Sequence, residues 1–142
     1  MEFITVEQFK EQSKEVQKVF LDWWKCEVFD IYAWSFDIKA NKWSIATCDN
    51  QIQADAVNEN KRISIPLFTE GQLRKFIEEK AKCKVMIEYT SCENIVIKIC
   101  REDEVTGSLR WNRKVTVPSN KFDLINSYWK VACMIAKEEV DG

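Results

Sequence analysis

KVMIEYTSCENIVIKICR, residues Lys84–Arg101, carries the clearest fold signal in this chain. Apolar and polar residues alternate over Lys84–Thr90 and again over Asn94–Arg101, which is the period of two typical of strands with one buried face. Only a short polar segment separates the two runs, and a connection of this kind is typical of a β-hairpin. The pattern therefore predicts two antiparallel strands.

Helical patterns lie on both sides of this hairpin. Before it, Thr69–Gln72 forms a capping-box motif that opens a helix reaching about Lys80. After it, Val105–Val117 predicts either two strands around Gly107 or one strand following it. Pro118–Asn120 then signals the start of a helix over Lys121–Glu138 that is apolar nearly all round. Such a helix should be covered on two sides, by its own fold or by another subunit.

The first half of the chain repeats the alternation of helix and strands. A second capping box, Thr5–Gln8, opens a helix that Ser13 restarts or bends. Its apolar positions follow helical spacing: Val16, Val19, Phe20, Trp23 and Trp24. Four short strands are then predicted, and they span Val28–Ser35, Trp43–Thr47, Gln51–Val57 and Arg62–Ile65.

This order of elements predicts an α+β fold with antiparallel sheets flanked by three helices, the N-terminal and C-terminal ones amphipathic to largely buried. With only three Gly and two Pro, we expect a single domain over residues 1–142. The motifs TVEQFK and TEGQLR open the first and second helices. Their similarity indicates either an internal duplication or shared capping chemistry.

Composition limits the classes of partner and the compartment. The formal net charge is −2, with 21 basic and 23 acidic residues, which argues against a general nucleic-acid binder. No apolar run is long enough to span a membrane, and the N-terminus does not resemble a secretory signal. We therefore expect a cytoplasmic protein whose six cysteines are mostly buried free thiols.

Several catalytic classes are excluded by the residues present. The chain contains no histidine, which removes Ser-His and Cys-His nucleophile pairs, and it has no glycine-rich phosphate loop. Carboxylates at Glu78–Glu79 and Glu102–Glu104 allow acid–base or Mg²⁺ chemistry, but they equally suit solvated surface positions. A zinc site from Cys83, Cys92 and Cys100 has unsuitable spacing. We expect no enzyme activity, no cofactor and no metal.

The segment Leu109–Lys114 is the best candidate for a ligand site. It places three cations and one aromatic residue close together: Arg110, Trp111, Arg113 and Lys114. Arginine binds phosphate through a bidentate fork and an aromatic plane stacks a base, so the set suits an anionic nucleotide or an acidic surface. Lys98 and Arg101 on the preceding strand would extend it. The alternative is a solvent-facing hairpin with one packed tryptophan.

The six tryptophans exceed what one core of this size needs, and tryptophan is enriched at binding hot spots. We predict Trp24 and Trp111 at an interface. Tyr128 and Trp129, on the final helix, are predicted to contribute to a homo-oligomer.

Three segments together resemble a set of small uncharacterised proteins from phages and prophages of Gram-positive bacteria. They are KEVQKVFLDWWK, IPLFTEGQLRKFIEEK and YWKVACMIAKEE. The resemblance implies an accessory protein in the bacterial cytoplasm that counters host defence, by blocking a host protein or by sequestering a nucleotide signal. The alternative is a phage DNA- or transcription-associated factor, although acidic residues interleave with the lysines of the first helix.

Overall fold

A computed structural model describes residues 2–90, 95–102, 104–107, 109–117 and 123–142, without the side chains of residues 102, 109–113 and 117. The chain divides into two compact units, Phe3–Phe68 and Thr69–Gly142, the latter joined by the N-terminal Met1–Glu2. We predicted one domain, because the boundary at Phe68 and Thr69 contains no glycine- or proline-rich linker. Each unit has its own three-stranded antiparallel sheet, which confirms the α+β class.

The first unit begins with two short helices, α1 (Val6–Lys10) and α2 (Lys14–Trp23). Both predicted start signals are confirmed, because Thr5 and Gln8 form the reciprocal capping box and the Ser13 hydroxyl accepts from the Val16 N–H at 3.2 Å. The aromatic rings of Phe9 and Phe20 lie 6.3 Å apart, and Phe20 lies 5.7 Å from Phe68. These buried rings form part of the core of the unit.

The sheet of the first unit contains β1 (Ile31–Trp34), β2 (Ser44–Thr47) and β3 (Ser64–Pro66), in the order β2-β1-β3. Strand β1 is shorter than predicted because residues 27–30 form a turn. A 3-10 turn, Lys61–Ile63, occupies the start of the predicted Arg62–Ile65 strand.

The predicted strand over Gln51–Val57 is wrong, because this segment is the helix α3 (Gln51–Glu59). Asn50 caps it, since its side chain accepts from the Gln53 N–H at 2.9 Å. The two buried residues of α3, Ala54 and Val57, are three positions apart, which is a helical spacing. The N-cap therefore outweighed the short apolar alternation that had suggested a strand.

The second unit has the order α4 (Glu70–Ala81), β4 (Lys84–Tyr89), β5 (Ile95–Glu102), β6 (Leu109–Val117) and α5 (Leu124–Asp141). The capping box at Thr69 and the β4–β5 hairpin are confirmed, and one strand follows Gly107. The described part of the chain thus has five helices, not three. The predicted start of the last helix, 118–120, lies outside the described residues.

The core of the second unit lies between its sheet and its helices. Helices α4 and α5 pack against each other, and α5 also packs on the central strand β5. Ile95, Ile97 and Ile99 alternate along β5 and are fully buried. Arg74 of α4 donates to the Val85 carbonyl of β4 at 2.9 Å, which connects the helix to the edge of the sheet.

The two units are not a duplication. Their opening helices share the capping box, as the similar motifs predicted. Their sheets differ, because β1 is central in the first unit while the second unit is a simple meander, β4-β5-β6. Shared capping chemistry therefore explains the similarity of TVEQFK and TEGQLR.

Candidate binding surfaces

One face of the second sheet carries two lysines that lie directly opposite each other. Lys98 of β5 pairs in register with Lys114 of β6 and, on its other side, with Met86 of β4. Lys98 lies 2.5 Å from Glu88 and, with a smaller effect from Lys114, holds the pKa of that carboxyl below its usual value. Like charges at opposed strand positions are destabilising, so a carboxylate beside them is stabilising. The two lysines make this part of the sheet a candidate site for an anionic group.

Two of the predicted ligand residues, Arg101 and Lys114, have described side chains, and both are exposed. By strand alternation, Arg101 lies on the opposite side of β5 from Lys98. The register shifts between Ile99 and Cys100, which lie opposite Arg113 and Trp111. This register skips Asn112 of β6, so the regular alternation of β6 is interrupted there.

The backbone of Arg110, Trp111 and Arg113 lies in β6, as predicted. Their side chains are outside the described part of the structure, so their binding role stays a prediction.

The residues proposed for an oligomer interface are buried. Trp24 is only 2% exposed, and its indole N–H donates to the Asp30 carboxylate at 3.3 Å. Tyr128 and Trp129 are also buried, and burial raises the pKa of the Tyr128 hydroxyl. Tyr128 and Trp129 were predicted at an interface because the final helix is apolar nearly all round, and Trp24 because tryptophan is enriched at binding hot spots. Their burial within the chain leaves them little area for a partner, and the predicted position of Trp24 at an interface does not fit its place in the core.

The loop between β1 and β2, Phe36–Lys42, is here called the hairpin loop. Phe36 is 89% exposed and its ring contacts that of Trp34 nearly edge to face, with centroids 4.6 Å apart. Hydrogen bonds to the backbone restrain the loop. The Ser35 hydroxyl accepts from the Asp37 N–H at 3.2 Å, and the Asp37 carboxylate accepts from the Ala40 N–H at 3.2 Å.

Asn41, the next-to-last residue of the hairpin loop, has the left-handed conformation, with φ of 52°. Asparagine tolerates this region better than most residues. Its side-chain oxygen accepts from the Trp43 indole N–H at 3.1 Å and from the Lys10 ammonium of α1. These two bonds connect the end of the hairpin loop to α1 and to the residue that precedes β2.

Phe29 is a second exposed aromatic residue on a built turn. It is 80% exposed and has φ of 78°, a strained conformation for a bulky residue. The Asp30 carboxylate stabilises the turn by accepting from the Glu27 N–H at 3.0 Å. Neither Phe29 nor Phe36 was among the predicted site residues. Each phenylalanine is followed by an aspartate, Asp30 or Asp37, and because aspartate favours turns, this order was the sequence signal for an exposed turn position.

A cleft of about 360 Å³ lies at the C-terminal end of α4. Its lining residues are Glu78, Glu79, Lys82, Cys83, Lys84 and Cys100. Glu78 is 2.8 Å from Arg74 and 3.8 Å from Lys84, while Glu79 is 4.0 Å from Lys75. Each carboxylate therefore has its own cation, an arrangement that suits surface ion pairs better than an acid–base pair.

Among the described residues, no group of three or more cysteine or carboxylate side chains is arranged to hold a metal ion. Cys92, part of the zinc alternative, lies outside them.

Comparisons with known proteins give no relative. No family model matches the chain, and neither a curated protein nor a solved structure is significantly similar to it. Within the described residues, none of the helices is long and apolar enough to cross a membrane.

Proposed function

We propose that this chain is a phage- or prophage-encoded, non-enzymatic binding protein that blocks a host protein through the hairpin loop. The observation that carries the proposal is the exposure of Phe36 on a hydrogen-bonded loop. An aromatic side chain in water is unfavourable unless a partner covers it, and binding hot spots are enriched in aromatic residues. The phage origin rests on the resemblance of the three quoted segments.

The chemistry of the loop favours a protein over a nucleotide as its partner. Phe36 and Ile38 are apolar and exposed, and they offer no hydrogen bonds to a phosphate or a base edge. The loop also carries Lys39 and Lys42 against a single acid, Asp37. A partner with an apolar pocket and an acidic rim would match both features. Because hydrogen bonds within the chain already restrain the loop, we expect its binding to cost little conformational entropy.

The experiment is affinity capture from a host lysate followed by titration of the captured polypeptide. Phe36→Ser should weaken binding by roughly thirtyfold, the effect of losing a hot spot of about 2 kcal/mol. Ile52→Ser is the matched control, because Ile52 is an equally exposed apolar residue on α3. Equal affinities for wild type and Phe36→Ser would contradict the proposal.

Sequestration of an anionic nucleotide signal is the second candidate, and the Lys98–Lys114 pair favours it. A phosphate could replace Glu88 as the counter-ion of these lysines. Mass spectrometry of small molecules that co-purify with the chain tests this candidate. A nucleotide retained by wild type and by Lys137→Gln, but lost by the double variant Lys98→Gln/Lys114→Gln, would support it.

The remaining alternative, a DNA- or transcription-associated factor, would require salt-dependent retention on DNA. The Lys18–Asp22 ion pair of α2 is more typical of a solvated helix face.

A further inference from the structure

Two cysteines of the first unit contact each other in its interior. Cys26 and Cys48 are both buried free thiols, and their side chains hydrogen-bond to each other. Each sulfur also lies near a backbone carbonyl, at 3.9 Å from that of Glu27 for Cys26 and at 3.4 Å from that of Asn50 for Cys48. A disulfide can form only between side chains that approach each other in this way.

The backbones of both cysteines are fixed by pairs of hydrogen bonds. The Asn58 side chain of α3 accepts from the Cys26 N–H at 2.7 Å and donates to the Cys26 carbonyl at 3.1 Å. The Cys48 N–H donates to the Asp30 carbonyl at 2.9 Å, and the Cys48 carbonyl accepts from the Phe29 N–H at 2.8 Å. Because the backbone is held on both sides of the contact, the two thiols are neighbours by the construction of the unit.

We propose that Cys26 and Cys48 form an oxidisable pair, which becomes a disulfide by exchange with a low-molecular-weight disulfide. One cysteine loses its proton and attacks the small disulfide, which gives a mixed disulfide and releases one small thiolate. The other cysteine then loses its proton, attacks the protein sulfur of the mixed disulfide and releases the second small thiolate. The two protons end on the two small thiols, so the chain loses two electrons and the small disulfide gains them.

Burial should make this exchange slow in the folded chain. The thiolate is the attacking form, and burial raises the pKa of the Cys26 thiol. A small disulfide reaches either sulfur only when the unit opens locally. When the unit closes again, the second cysteine lies beside the mixed disulfide and resolves it. We therefore expect urea at concentrations below the unfolding transition to accelerate the reaction.

The disulfide would fasten the turn that presents Phe29. This turn follows Cys26, and two of its residues, Phe29 and Asp30, bond to the Cys48 backbone. The positive φ of Phe29 is strained for a bulky residue, so these bonds hold the turn against that strain. A covalent link beside them should make opening of the turn rarer. Oxidation would thus act on a different exposed aromatic residue from the one in the hairpin loop.

The experiment incubates the full chain with oxidised glutathione in low urea, blocks the remaining thiols by alkylation and maps the product by mass spectrometry. Trypsin releases residues 26–39 and 43–61, each with a single cysteine. We expect these two peptides to be joined, in a chain that is lighter by two hydrogen atoms. If they are not joined, the proposal is overturned, whether the thiols stay free, retain glutathione or link to other cysteines.

Two variants test whether the link has the proposed partners. Cys26→Ala should abolish it, whereas Cys133→Ser is the matched control and should form it like wild type, because Cys133 belongs to α5 in the other unit. Loss of the link in Cys133→Ser would contradict the proposal. Phe36→Ser should also form the link, so this outcome is separate from that for the hairpin loop.

Unfolding of the wild-type chain gives a second test that needs no variant. A disulfide that closes a loop of roughly twenty residues should raise the urea midpoint of the first unit by about 1.5 M relative to the reduced chain. Tryptophan fluorescence follows this transition. A lower midpoint for the oxidised chain would show that the link does not fit the folded unit, and the proposal would be refuted.

Discussion

Lys61 closes the C-terminal end of α2 from across the first unit, and replacing it with methionine should destabilise that unit by about 2 kcal/mol. Its ammonium donates to the Leu21 carbonyl at 2.7 Å and to the Trp24 carbonyl. Carbonyls in the last turn of a helix have no partner within the helix. Methionine retains the apolar stem of lysine but offers no donor, so both acceptors would lose their bonds.

The magnitude follows from the position of the side chain. A hydrogen bond to a charged group contributes about 1.5–3 kcal/mol, and a buried unpaired acceptor costs about 1–3 kcal/mol. Lys61 is half-buried, so water can replace part of what is lost. Burial also lowers the pKa of its ammonium, which shows that placing the charge there already has a cost. We therefore expect an effect near the value of one charged bond rather than two.

Urea unfolding followed by tryptophan fluorescence measures this change, because four of the six tryptophans lie in the first unit: Trp23, Trp24, Trp34 and Trp43. With a slope of about 2 kcal/mol per M, the midpoint should fall by about 1 M. Lys25→Met is the control, because it removes a positive charge from the same helix end and Lys25 is exposed. If the two variants had equal midpoints, the bonds to Leu21 and Trp24 would contribute nothing.

Two further predictions concern the buried groups of each unit. Burial, with a smaller effect from the adjacent Cys48, raises the pKa of Cys26 to about 12 from 9.0. Between these pH values the folded chain keeps a proton that the unfolded chain releases, so the contribution of Cys26 to stability is complete below about pH 9 and is lost towards pH 12. The urea midpoint of Cys26→Ala should therefore fall less steeply with pH over this range than that of wild type. Equal slopes for the two proteins would be evidence against this account. Ile97→Ala should lower the free energy of unfolding by about 2–5 kcal/mol, because Ile97 is fully buried at the centre of β5. Met86 is exposed, so Met86→Ala should lower it by less than about 1 kcal/mol. Calorimetry measures both changes, and similar losses would contradict the assigned faces.

The elements that the sequence predicted well are those set by neighbours along the chain. The capping boxes at Thr5 and Thr69 each need only residues three positions apart, and both form. The β4–β5 hairpin is local in the same sense, since its alternation and short connection lie within one segment. The segment Gln51–Val57 was misjudged because its alternation was short, and the Asn50 cap, which favours a helix, was overlooked.

By itself, the amino-acid sequence determined the α+β class, the helix starts at Thr5 and Thr69, and the absence of a histidine-based active site, because these depend on residue type and local spacing. Tertiary structure alone decided which apolar residues are covered. Trp24 lies on the predicted apolar stripe and is buried, whereas Phe36 and Ile45 remain exposed. Burial depends on which distant elements pack over a residue, and β1 is the central strand of its sheet only because β3, from later in the chain, pairs with its other side.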